Sequence, residues 1–73
     1  MQTLNTIPVG VCAEVKSFDL SQKITLRLQA LGMIPGTRVK VLQKKGKGTL
    51  ILDVRGARFA LGRHITDHIE VAV

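Results

Sequence analysis

The chain has 73 residues and a mass of 8.0 kDa. A chain of this length buries only about 60% of its unfolded surface, so one domain with a thin core, residues 1–73, is expected. Hydrophobic residues at 45% and charged residues at 22% exclude disorder, while a net charge of +6 attracts phosphates, acidic proteins and anionic surfaces without choosing among them.

In chain order, Pro8-Val9-Gly10 reads as a turn. It leads into residues 11–18, where Val11, Ala13 and Val15 alternate with Cys12, Glu14 and Lys16, the period of a half-buried strand. The period then changes. Asp19 or Ser21 can cap a helix, and Ile24, Leu28 and Leu31 follow at i, i+4 and i+7 on one stripe. Gly32 supplies a left-handed stop and Pro35 forbids continuation. Leu26 falls on the face opposite Ile24, where water is expected.

From Gly36 onward the pattern is β again. Residues 37–44 set Val39 and Val41 on one face, with Arg38, Lys40 and Leu42 on the other. Residues 49–54 and 57–61 flank Arg55-Gly56, a two-residue turn with Gly where positive φ is wanted. That turn pairs Val54 with Ala57, Leu52 with Phe59 and Leu50 with Leu61 on one face, and Asp53 with Arg58 on the other. The preceding hairpin bends through a four-residue loop: 45–48, which sets Val41 opposite Leu52 and Val39 opposite Val54, or 44–47, which preserves the inward face equally well. With the first of these loops, Leu42 meets Ile51, which meets Ala60, in an outward apolar row beside a charged row of Lys40, Asp53 and Arg58. Residues 62–68 read as a turn or single 3₁₀ turn, and Ile69-Glu70-Val71 as a last strand. The predicted fold is mostly β: five short strands curled into a small barrel, with one short helix inserted after the first strand.

The chemistry-bearing residues are few. Cys12 alone excludes an internal disulfide and a cysteine metal cluster. Without a leader-like start or a run of ~20 apolar residues, a cytoplasmic protein is expected. Lys45-Gly46-Lys47-Gly48 lacks the leading glycine and following Ser/Thr of a phosphate loop and reads as a solvated hairpin tip. His64 and His68 stand four apart without a third strong ligand at a helpful spacing, so no metal site is expected. No nucleophile–base pair or paired carboxylates mark a catalytic site, and no enzyme or cofactor is expected. Nucleic-acid binding by a basic barrel is the alternative. With no Trp or Tyr and two Phe, one of them assigned inward, it is restricted to a non-specific grip on phosphates. Walls for a proline-rich peptide are missing for the same reason. What is left is apolar surface at Leu26, Met33, Ile34 and the Leu42/Ile51/Ala60 row.

Residues 28–41 read L-x-x-L-G-M-x-P-G-x-x-V-x-V, carried by Leu28, Leu31, Gly32, Met33, Pro35, Gly36, Val39 and Val41. This pattern is similar to the signature of the FeoA family, ferrous-iron transport protein A. The likeness runs on through residues 51–61 and the closing Ile69-Glu70-Val71. The same module closes iron-dependent repressors, but no segment here resembles a repressor's DNA-binding half. The resemblance implies an SH3-like barrel and a cytosolic accessory role beside FeoB, a membrane permease with a cytosolic GTP-binding domain. It implies a regulator, not an iron carrier, reaching the membrane only through its partner. Ferrous iron favours oxygen and imidazole ligands gathered in one place, and this chain offers no such cluster. Leu26, Met33 and Ile34, together with Leu42, Ile51 and Ala60, are expected to contact the permease's cytosolic domain. Leu28, Leu31, Gly32, Pro35, Gly36, Val39 and Val41 are expected to be structural. A homo-oligomer is compatible with the sequence.

Overall fold

Side chains that alternate in polarity produce strands, and in the computed structural model, which describes residues 2–73, six antiparallel strands join in one sheet. The elements are β1 (Gln2–Thr3), a 3₁₀ turn (Leu4–Thr6), β2 (Cys12–Phe18), α1 (Gln22–Ala30), β3 (Arg38–Lys45), β4 (Thr49–Val54), β5 (Ala57–Leu61), α2 (Arg63–Thr66) and β6 (Ile69–Ala72). Their order across the sheet is β1-β6-β2-β3-β4-β5.

Two features correct the expected five-stranded barrel. Gln2 and Thr3 pair with Val71 and Glu70 as a sixth strand, and the sheet is not closed, since β1 and β5 end the order without a ladder between them. Closure is replaced by packing. The 3₁₀ turn lies against β6 and α2, α2 also lies against β4, and Leu4 within that turn and Ile7 just after it are fully buried. Residues 63–66 form one α-helical turn where a turn or single 3₁₀ turn was expected.

The β4–β5 hairpin has the register its turn dictates, from Val54 opposite Ala57 to Leu50 opposite Leu61. Arg55 and Gly56 both take positive φ, 55° and 87°, the pair of angles whose twist matches the flanking strands. Asp53 Oδ1 accepts from the Gly56 N–H at 2.8 Å and fixes the bend. In the β3–β4 hairpin Val39 faces Val54, Lys40 faces Asp53 and Val41 faces Leu52. Beyond Val41 the register shifts, and Lys45 pairs with Thr49. The loop is therefore Gly46-Lys47-Gly48, one residue shorter than expected. The residue saved appears as a bulge at Leu42, so Gln43, not Leu42, sits opposite Ile51.

The core lies on the inner face: Ala13 and Val15 of β2, Val39 and Val41 of β3, Leu50, Leu52 and Val54 of β4, and Ile69 and Val71 of β6 are buried. Phe59, assigned inward, is only half-buried at the sheet's edge.

Candidate protein-docking surface at the end of α1

α1 begins where the Ser21 side chain accepts from the Ile24 N–H at 3.3 Å. It carries no acidic residue in its first turn. Only Leu28 of its residues is buried, with Ile24 packed partly against the core. The expected stripe of Ile24, Leu28 and Leu31 stops short: Leu31 is 43% exposed.

The reason is how the helix ends. Gly32 has φ +98°, its N–H donates to Gln29 O at 2.9 Å, and the Met33 N–H donates to Leu28 O at 3.0 Å. This is the paired-bond left-handed cap in which the residue after the glycine packs on the residue whose carbonyl it engages. Met33 and Leu28 accordingly share the core, and Met33 has no exposed surface. The expectation that Met33 belongs to a docking surface is corrected, because the cap turns it inward and leaves Leu31 outside.

The chain next makes a second tight bend. The Thr37 N–H donates to Ile34 O at 3.0 Å across Pro35 and Gly36, and Gly36 has φ +94°. Proline followed by a positive-φ glycine is the sequence of a type II turn. The bend is clipped to β2, with Gly36 N–H donating to Val15 O and Val15 N–H to Thr37 O, both at 2.8 Å. Cap, turn and clip leave no loose residue between α1 and β3. Held outside on this frame are Leu26 at 56% exposure, Leu31, and Ile34 at 41%.

The other half of the expected surface is separate. Ile51 faces Ala60, and Leu42 is half-buried in the bulge, but Leu42 lies five residues along β3 from Thr37, or roughly 17 Å at the usual strand rise. The structure thus divides the expected surface into a helix-end set and a sheet set. Sequence reasoning missed Leu31, and the hydrophobic residue after Gly32 was the signal that Met33, not Leu31, would turn inward.

Charge distinguishes the helix end further. From Leu20 to Leu52 there is no Asp or Glu, while Lys23, Arg27, Arg38, Lys40, Lys44, Lys45 and Lys47 fall there. On α1, Lys23, Leu26, Arg27 and Ala30 recur at i, i+3, i+4 and i+7, and all four are exposed, so one outward face mixes cations with apolar groups. A methyl on Gly32 would lie 3.8 Å from Val54 Cγ1, which puts the helix end beside the β4–β5 turn and Arg55. On the outer face of the sheet, Lys16 Nζ donates to Glu14 Oε2 at 2.8 Å, and that bond, reinforced by the lysine charge, holds the Glu14 carboxyl below its ordinary pKa.

Among the described residues no group of three or more His, Cys, Asp or Glu converges as a metal site. His68 instead faces Asp19 at 3.8 Å, and Cys12 is exposed and opposite Lys40. Among the described residues no helix is long and apolar enough to cross a membrane.

Residues 2–73 match the family model for the FeoA domain. Among curated proteins nothing matches. Among solved structures, FeoA from Chlorobium tepidum is 26% identical with a TM-score of 0.92, over 99% of this chain and 70% of that one. FeoA from Stenotrophomonas maltophilia, a procaryotic SH3 domain protein crystallised with zinc, is 32% identical with a TM-score of 0.82, over 97% of this chain and 89% of that one. A manganese-dependent transcriptional repressor shares the fold at 19% identity and a TM-score of 0.85, over 99% of this chain and 40% of that one.

Proposed function

The chain belongs to the FeoA family of small, SH3-like accessory proteins of ferrous-iron transport, and from that membership we propose that it binds the cytosolic GTP-binding domain of a FeoB-type permease through the end of α1. Leu26, Leu31 and Ile34 enter the interface, and Lys23, Arg27, Arg38 and Arg55 form its polar rim. The observation that carries this reading is the exposure of three large apolar side chains around a bend fixed by its own hydrogen bonds. A preformed surface loses little freedom when a partner docks, so more of the apolar burial appears as affinity. The surrounding cations speed encounter with an acidic face. The protein acts in the cytosol and reaches the membrane through its partner, performing no chemistry of its own.

The test is a titration of the permease's isolated GTP-binding domain with wild-type protein and with Leu26→Asp and Ile34→Asp. A central apolar contact is worth about 2 kcal/mol or more, so each variant is expected to weaken binding roughly thirtyfold. Unchanged affinity in both variants overturns the assignment of this surface. Tight binding to random oligonucleotides at physiological salt favours the nucleic-acid reading instead.

A further inference from the structure

We propose that β5 is a self-recognition edge through which two copies of this chain pair about a two-fold axis. The contact is independent of the helix-end surface. β5 ends the strand order, and among the described residues its only ladder is with β4. In a hairpin with a two-residue turn, the pair flanking the turn exchanges hydrogen bonds and the pattern alternates from there. Val54 and Ala57 are that pair, so Ala57, Phe59 and Leu61 bond toward β4. The N–H and C=O groups of Arg58 and Ala60 point outward. Neither residue makes any other backbone hydrogen bond, and both are exposed.

An outward row of unsatisfied backbone groups is a template for another strand, and this one fits itself. In an antiparallel two-fold pairing, Arg58 or Ala60 must face one of the outward residues of the other copy. Centring on Arg58 sets two guanidinium groups directly opposite, which is unfavourable. Centring on Ala60 carries the pairing into Gly62, where the chain leaves the sheet for α2. Centring on Phe59 avoids both. Arg58 then faces the small Ala60 of the second copy, each exchanging N–H and C=O groups with the other. The two Phe59 rings meet at the close, non-hydrogen-bonded position on the inner face. Phe59 packs against the core yet stays only half-buried, so the second ring covers surface that the monomer leaves open, an aromatic pair of the kind that stabilises sheets. On the outer face the Arg58 stem of one copy covers the exposed Ala60 and the half-buried Ile51 of the other, the pair left over from the sheet set.

Each copy carries +6, so added salt, by screening the repulsion, is expected to strengthen this association. The test is sedimentation of the full chain from about 10 μM to about 1 mM, with amide exchange by NMR at both ends of that range. The expected result is a concentration-dependent dimer, more populated at higher salt, with the Arg58 and Ala60 amides protected only at high concentration. Ala60→Pro removes an outward N–H without touching the β4 ladder and is expected to give a monomer. Ala60→Val keeps the N–H and keeps the dimer. A chain that is monomeric throughout overturns the proposal. So does a dimer that survives Ala60→Pro, or one that leaves the Arg58 and Ala60 amides exchanging freely.

Discussion

Gly36 and Met33 show what a single residue decides here. A methyl on Gly36 would meet nothing within 4 Å, so Gly36→Ala is penalised only through φ +94°. That left-handed conformation costs an L side chain about 1–2 kcal/mol, which a denaturant titration will resolve. Met33→Ala removes a fully buried side chain and is expected to cost about 2–5 kcal/mol, whereas Leu26→Ala, on an exposed helical face, stays within about 0.5 kcal/mol. Aspartate at Met33 therefore probes folding, and only Leu26, Leu31 and Ile34 probe docking. Thr66 is fully buried and its hydroxyl has no partner in the structure. Replacing a polar group that makes no hydrogen bond with a methyl of similar shape is neutral or stabilising, so Thr66→Val should melt at or above the wild-type temperature. The glycines and Pro35 were legible in the sequence because each has one physical use at a bend. Met33 was signalled only by its place after Gly32, because its burial follows from the pair of bonds that end α1, and the spacing of apolar residues alone pointed to Leu31.

At the level of the elements, the two hairpins explain why one register could be read and the other could not. Arg55-Gly56 permits one close connection, and its register propagates without interruption. The Gly46-Lys47-Gly48 tip fixes no such count, and a bulge at Leu42 repairs the inner face at the cost of the outer row. The end strands differ as well: β1 is two residues long, too short to announce itself by alternation. α1 is fastened by Leu28 and part of Ile24, while β3 and β4 pair along most of their length and bury both valines and leucines. Amide exchange is accordingly expected to be faster in α1 than in the centre of β4, since segments with little apolar burial open first. The Glu14–Lys16 pair gives β2 a small dependence on acid. The native carboxyl is held below its ordinary pKa, so its contribution is present above that ordinary value and is lost as pH falls through the lowered one. In Lys16→Met the Glu14 carboxyl should titrate at higher pH, as an NMR titration will report.

For the molecule as a whole, the outward groups divide by charge: the long acid-free span from Leu20 to Leu52 holds seven of its eleven lysines and arginines. If an acidic partner uses that span, its association rate should fall steeply between low and physiological salt, while the dissociation rate, set by the apolar centre, changes little. Stopped-flow mixing at several ionic strengths checks this. Overall charge and fold class were legible from composition and period. The open seam was not, because it depends on a short 3₁₀ turn and α2 meeting across a distance that no local pattern encodes. The two margins of the sheet are also unequal. On one side, two residues of β1 occupy the flank of β6 and leave almost no length for a newcomer. On the other, β5 is bare. Polymerisation along the hydrogen-bonding direction needs two free flanks on every subunit, and this fold has one. Growth stops after a single addition, so even concentrated solutions should yield no filaments.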